Sequence, residues 1–165
     1  MDVREPIVVS ISDYKVAENP AIFQTVLGSC IAICLYDPEK KIGSLAHALL
    51  PTISFSSTKG SKNPKKYVDA LIELQLSDLQ SKGVLKKNLV AKITGGANMF
   101  SEVIPDNDNQ IGKKNARKAK EILGQHNIPI LATDTGNYFG RRVYFDLQDG
   151  KLSIHKPTGE LWKVI

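Results

Sequence analysis

The sequence predicts an α+β fold in which packed β-sheets are flanked by helices. Three observations lead there. The β-branched and apolar runs come mostly in adjacent pairs joined by short turns, so a doubly wound parallel sheet is the weaker choice. Only two stretches keep a helical period long enough for a main helix. Apolar residues fill both parities of several strands, as expected where both faces are covered. The 165 residues suit a single domain spanning 1–165, and at that length folding buries roughly 70% of the extended chain's surface.

The elements follow in order. Pro6 to Tyr14 contains Ile7-Val8-Val9-Ser10-Ile11-Ser12, a strand. Ala21 to Tyr36 is a long apolar run, again a strand. Asp37-Pro38-Glu39-Lys40 is a turn, with Pro presetting φ and Asp initiating it. Ile42 to Leu50 returns, so residues 24–50 read as a hairpin. Residues 51–64, rich in Ser, Thr, Lys, Gly and Pro, form a long polar loop expected to border a cleft. Asn63-Pro64 then opens a helix, with Asn as N-cap and Pro at its first position. Tyr67, Val68, Leu71, Ile72, Leu76 and Leu79 keep its period, and Gly83 ends it. Leu89 to Thr94 is a strand that runs into Gly95-Gly96, a tight turn or close backbone approach. A second helix spans about Ile111 to His126. Ile128 to Ala132 is a strand, and 143–147 pairs with 151–155 across Asp149-Gly150. The total is about six or seven strands and two helices.

Composition narrows the function. The hydrophobic fraction is 42% and the charged fraction 24%, ordinary for a soluble globular chain. No stretch approaches the ~18 apolar residues of a membrane span, so no membrane insertion is expected. The charged start Met1-Asp2-Val3-Arg4-Glu5-Pro6 has no apolar signal-peptide core, so the expected compartment is the cytoplasm. The net charge of +5 gathers at Lys59-Lys62-Lys65-Lys66, Lys86-Lys87 and Lys113-Lys114-Arg117-Lys118-Lys120. No aromatic residue interleaves with these lysines, so nucleic acid is not the expected partner. Solvated helix faces or an acidic protein partner remain.

Chemistry concentrates on Gly28-Ser29-Cys30 and on His47 in Ala46-His47-Ala48-Leu49-Leu50-Pro51. A thiol attacks as thiolate, and near neutral pH only a few per cent is ionised unless a base or N–H donors assist. Gly28 allows the backbone a shape that a Cβ would forbid. The N–H groups of Ser29 and Cys30 are then candidate oxyanion donors. If the turn is symmetric about position 38 or 39, Cys30 and His47 oppose each other on neighbouring strands, with Cβ atoms about 5 Å apart. The competing reading is two core residues, since Cys is among the most buried types. Cys34, with no facing partner, reads as core. A strand sets Cys30 and Cys34 about 13 Å apart, beyond the roughly 7 Å limit of a disulfide. Zinc requires three or four ligands, so no metal site and no cofactor are expected.

Leu27-Gly28-Ser29-Cys30-Ile31-Ala32-Ile33-Cys34-Leu35-Tyr36-Asp37, followed by Gly43-Ser44-Leu45-Ala46-His47-Ala48-Leu49-Leu50-Pro51, resembles the CheD family, the chemoreceptor glutamine deamidases of bacterial chemotaxis. Lys92-Ile93-Thr94-Gly95-Gly96-Ala97-Asn98-Met99-Phe100 resembles the family's glycine-rich stretch. Ile111-Gly112 with Asn115 resembles a helix start and Asp134-Thr135-Gly136 a late strand end. The resemblance implies hydrolysis of selected glutamine side-chain amides of methyl-accepting chemotaxis receptors to glutamate, with release of ammonia. It implies the fold of the cytotoxic necrotising toxin catalytic domains, and CheC-type phosphatase as a further partner. It also implies Cys30 as nucleophile, His47 as base and a supporting threonine. The family's threonine precedes the cysteine by six positions. Gln24 occupies that place here and Thr25 follows it, so Thr25 and Gln24 are rivals for the third role. Gly95 and Gly96 join Gly28 and Ser29 as expected site backbone.

Overall fold

The computed structural model describes residues 4–53 and 63–165. The expectations for Met1-Asp2-Val3, for Lys59 and Lys62, and for loop residues 54–62 lie outside the described residues. The strands are β1 (Ile7–Val8), β2 (Asp13–Glu18), β3 (Ile22–Leu27), β4 (Ile31–Asp37), β5 (Ile42–Ala48), β6 (Val90–Gly95), β7 (Ile130–Thr135), β8 (Arg141–Asp146), β9 (Leu152–His155) and β10 (Leu161–Val164). The helices are α1 (Val68–Ser81) and α2 (Ile111–Gln125). The first sheet has the order β1-β3-β8-β9-β10 and the second β2-β5-β4-β6-β7.

β4 shows how the layers arise. Successive side chains of a strand point to opposite faces. Ile31, Ile33 and Leu35 pack on one side among Leu71, Ile72 and Leu79 of α1 and Ala119 and Leu123 of α2. Ala32, Cys34 and Tyr36 pack on the other among Phe23, Leu27, Val143 and Phe145 of the first sheet. The second sheet is therefore covered on both faces, by helices on one and by the first sheet on the other, as the doubly apolar strands predict. Each fully buried Ile or Leu of this strand contributes roughly 1.5–3 kcal/mol.

Four expectations need correction. The run from Ala21 to Tyr36 is not one strand: it breaks at Gly28-Ser29-Cys30, and β3 joins the first sheet while β4 joins the second. An apolar run continues across the corner because both halves face the same core, so composition does not mark the break. Among the described residues ten strands replace six or seven, because the polar edge strand β2 and the exposed β10 lack a clear apolar alternation. The hairpin register is displaced: Asp37 pairs with Ile42 and Lys41 takes φ +55°, so His47 faces Ala32 rather than Cys30. Asn63 accepts a bond from Lys65 N–H, but it caps only a 3₁₀ turn over Pro64–Lys66. Tyr67 is then extended and bridges to Leu50, and α1 starts at Val68.

Candidate active site

The corner between β3 and β4 carries Cys30, and β5 carries His47. Cys30 sits one residue before β4, on the same face as Ala32 and Cys34, the face that looks at the first sheet. His47 lies opposite Ala32 on that face. Cys30 and His47 are thus diagonal neighbours, whose Cα atoms lie about 7–8 Å apart on adjacent strands. The direct pairing expected from a symmetric turn is not made: His47 Nε2 is buried and has no hydrogen-bond partner among the described residues. Its other nitrogen is engaged. His47 Nδ1 lies 2.8 Å from Thr25 Oγ1, and Thr25 Oγ1 donates to the Val9 carbonyl at 2.7 Å.

Proton counting assigns that chain. A carbonyl only accepts, and a hydroxyl has one proton to give. The Thr25 proton goes to Val9, so Thr25 Oγ1 accepts from His47 Nδ1–H. The imidazole is then the Nδ1–H tautomer, with the lone pair on Nε2. Burial pushes the His47 pKa down to about 4, so the ring is neutral at pH 7. Burial likewise raises the Cys30 pKa, opposed by the residue's own backbone N–H. At pH 7 both groups are neutral, a thiol and an imidazole.

The two rivals separate by parity. Thr25 is 3% exposed and faces the second sheet, whereas Gln24, one step along β3, presents its side chain to the opposite face. A one-residue step along β3 does not turn Thr25 away from Cys30, because the two residues belong to different strands in different sheets. Thr25, Cys30 and His47 all line one open groove of about 460 Å³, as does Gln24, but it is Thr25 that bonds His47. Val8, Ile11 and Val26, which also line it, are each more than half exposed.

The glycines act differently from expectation. Gly28 does not take a left-handed φ; its constraint is contact, since an added Cβ would lie 3.3 Å from Met99 Cγ. Gly95 does take φ +109°, and a Cβ there would collide with the Cys30 carbonyl oxygen. Gly96 N–H donates to that same carbonyl at 2.8 Å, and Ala97 N–H to the Gly28 carbonyl at 3.0 Å. The Gly95-Gly96 backbone therefore grips the corner from β6, and the Gly96 N–H is already taken. Among the described residues no acceptor binds the N–H of Ser29, and the Cys30 N–H acts on its own thiol by lowering its pKa.

Several contributors had no signal in the sequence. The Val9 carbonyl is backbone and carries none. Asn115 stood out only through the resemblance; its amide is fully buried and bonds the carbonyls of Ser29 and Leu49. Arg141, 1% exposed, donates to Asp134 Oδ2 at 2.8 Å and ties β8 of the first sheet to β7 of the second. Removing one partner of such a buried pair costs about 3–5 kcal/mol. The helix-face cations are partly matched: Lys113 lies 2.8 Å from Asp106 and Lys118 lies 3.0 Å from Glu121. Among the described residues no three His, Cys, Asp or Glu side chains gather as a metal would require, and no helix is long and apolar enough to cross a membrane.

Comparison with known proteins adds the family. Residues 49–156 match the family described as CheD chemotactic sensory transduction. The chain is 41% identical over 153 residues to the probable chemoreceptor glutamine deamidase CheD of Clostridium novyi, covering 92% of this chain and 93% of that protein. It is 42% identical over 151 residues to the protein of the same description in Thermococcus kodakarensis, covering 91% and 92%. Among solved structures, the hypothetical protein YfiH of Bacillus licheniformis aligns with a TM-score of 0.47 and 11% identity, over 79% of this chain and 59% of that one, too weak a likeness to carry an argument. Near-complete coverage at this identity, together with the family match, means that the chain belongs to the CheD family.

Proposed function

We propose that the protein is a chemoreceptor glutamine deamidase, as its relatives are described, with Cys30 as nucleophile, His47 as general base and acid, and Thr25 as the group that holds the imidazole tautomer. The observation that carries the mechanism is the bonded chain from Val9 through Thr25 to His47, which leaves a lone pair on Nε2 of a ring that lines the same groove as Cys30. His47 Nε2 takes the Cys30 proton, and the thiolate attacks the Cδ carbonyl of a glutamine. The N–H groups of Ser29 and Cys30 receive the oxyanion. His47 returns the proton to the leaving nitrogen, so ammonia departs and a thioester remains. Water, deprotonated by the same Nε2, adds to the thioester. Collapse releases glutamate and restores the thiol, with water as the sole co-reactant. The Nε2 to Sγ bond is absent at rest, and such bonds commonly tighten only with substrate bound.

An open groove with an exposed apolar rim admits a side chain that stands on a protein surface, such as a receptor helix in the cytoplasm. The test is a peptide-resolved mass spectrum of a receptor cytoplasmic fragment incubated with the wild-type protein and with Cys30→Ala. Conversion of glutamine to glutamate by the wild type alone is expected. Equal conversion by a folded Cys30→Ala protein would remove the nucleophile assignment. Conversion by neither would turn attention to docking of a CheC-type phosphatase, which has no need of the thiol.

A further inference from the structure

Asn115 does not line the groove, yet it holds the peptide on which the chemistry depends. Its Nδ2 donates to the Ser29 carbonyl at 3.3 Å and to the Leu49 carbonyl at 3.1 Å, and the side chain is fully buried. Chemistry forces this orientation: turned over, Oδ1 would face two carbonyls, acceptor against acceptors. Both amide protons are therefore spent on the corner and on the chain just after His47, while Oδ1 has no partner among the described residues.

The Ser29 carbonyl and the Cys30 N–H belong to one planar trans peptide, so they point in opposite directions. Holding the carbonyl toward α2 turns the Cys30 N–H away from α2. A hydrogen bond to the carbonyl also polarises the peptide and strengthens its N–H as a donor. Leu49 lies two residues after His47, so the second bond ties the same amide to the segment that carries the base. We propose that Asn115 is a positioning residue for this reaction: it aims the Cys30 N–H at the developing oxyanion and fixes the nucleophile corner against the strand of His47. The inference rests on the Cys30 and His47 roles given above.

Gln75 supplies a matched control. It is another fully buried amide, donating to the Ile33 carbonyl at 3.0 Å and to Ser44 Oγ at 2.9 Å, among the helix contacts of the second sheet. The experiment compares Asn115→Ala, Asn115→Asp, Gln75→Ala and Cys30→Ala on a receptor fragment, each with a Tm. The Asn115 variants are expected to lose about 10- to 100-fold in kcat with KM within about twofold of wild type. They should also move the pH midpoint of Cys30 alkylation by iodoacetamide upward, because its own N–H no longer aids the thiolate. Gln75→Ala should lower Tm and leave both readouts in place. Wild-type kcat and midpoint in folded Asn115 variants would overturn the proposal, as would an equal midpoint shift in Gln75→Ala. Activity in Cys30→Ala would instead overturn the nucleophile role. Wild-type protein decides the matter if the variants fail to fold: the Asn115 side-chain amide protons should exchange slowly with solvent, and exchange at the rate of an exposed amide would show that the strap does not exist.

Discussion

Thr25→Val keeps the shape of the side chain and removes its hydroxyl, which makes it a sharp probe of the groove. Two buried groups lose their partner at once, the Val9 carbonyl and His47 Nδ1–H. Each unpaired buried group costs about 1–3 kcal/mol, so the variant should lose about 2–6 kcal/mol of stability. The chemical effect is separate. Without an acceptor at Nδ1, the ring is free to carry its proton on Nε2, and that tautomer has no lone pair to offer Cys30. Holding a catalytic imidazole in the wrong tautomer can cost about 10⁴-fold, so a loss of about 10²- to 10⁴-fold in kcat is expected here. Thr25→Ser restores an acceptor and should stay within about tenfold of wild type. Rates are read as ammonia released from a receptor fragment, below the Tm of the variant, and the tautomer is read from the ¹⁵N shifts of His47. A folded Thr25→Val protein that turns over at the wild-type rate, or a wild-type ring protonated on Nε2, would refute the reasoning.

Two further predictions concern stability. Burial lowers the His47 pKa from 6.5 to about 4, so the unfolded chain binds this proton more readily than the folded one, and stability present above pH 6.5 is lost as pH falls toward 4. The full loss through this residue is about 3 kcal/mol; denaturant midpoints at pH 7 and pH 4.5 should differ more in wild type than in His47→Gln, and equal differences would exclude the effect. Gly95→Ala places a Cβ against the Cys30 carbonyl at φ +109°. Backbone strain of about 1–3 kcal/mol and a similar overpacking term give a loss of about 2–6 kcal/mol, and a Tm within a degree of wild type would contradict the close approach.

Much of the local structure was legible. The period of Leu71, Ile72, Leu76 and Leu79 marks α1, and the two-sided apolar run of β4 announces a strand covered on both faces, as found. Cys30 and His47 stood out as a thiol after Gly28-Ser29 and a histidine in an apolar strand, with two core residues as the competing reading. The resemblance to the CheD family rested on the same residues, and the relatives bear out the family. The register was less legible. Shifting a four-residue turn one step along the chain, from 37–40 to 38–41, moves every cross-strand partner by two, and no residue type in Asp37-Pro38-Glu39-Lys40 dictates that Lys41 should take a left-handed φ.

What the sequence by itself determined is therefore local: which runs are strands or helices, which faces are apolar, and which side chains have chemistry to offer. Tertiary structure alone decided which of them meet. Thr25 reaches His47 because the corner at Gly28-Ser29-Cys30 folds one apolar run into two sheets that then pack face to face. Asn115 reaches Ser29 because Gly96 and Gly112 let α2 approach the corner closely, backbone against backbone. Hydrophobic patterning is non-directional and says only that a face is buried. Hydrogen bonds are directional and short, so their partners are set only once the layers have docked.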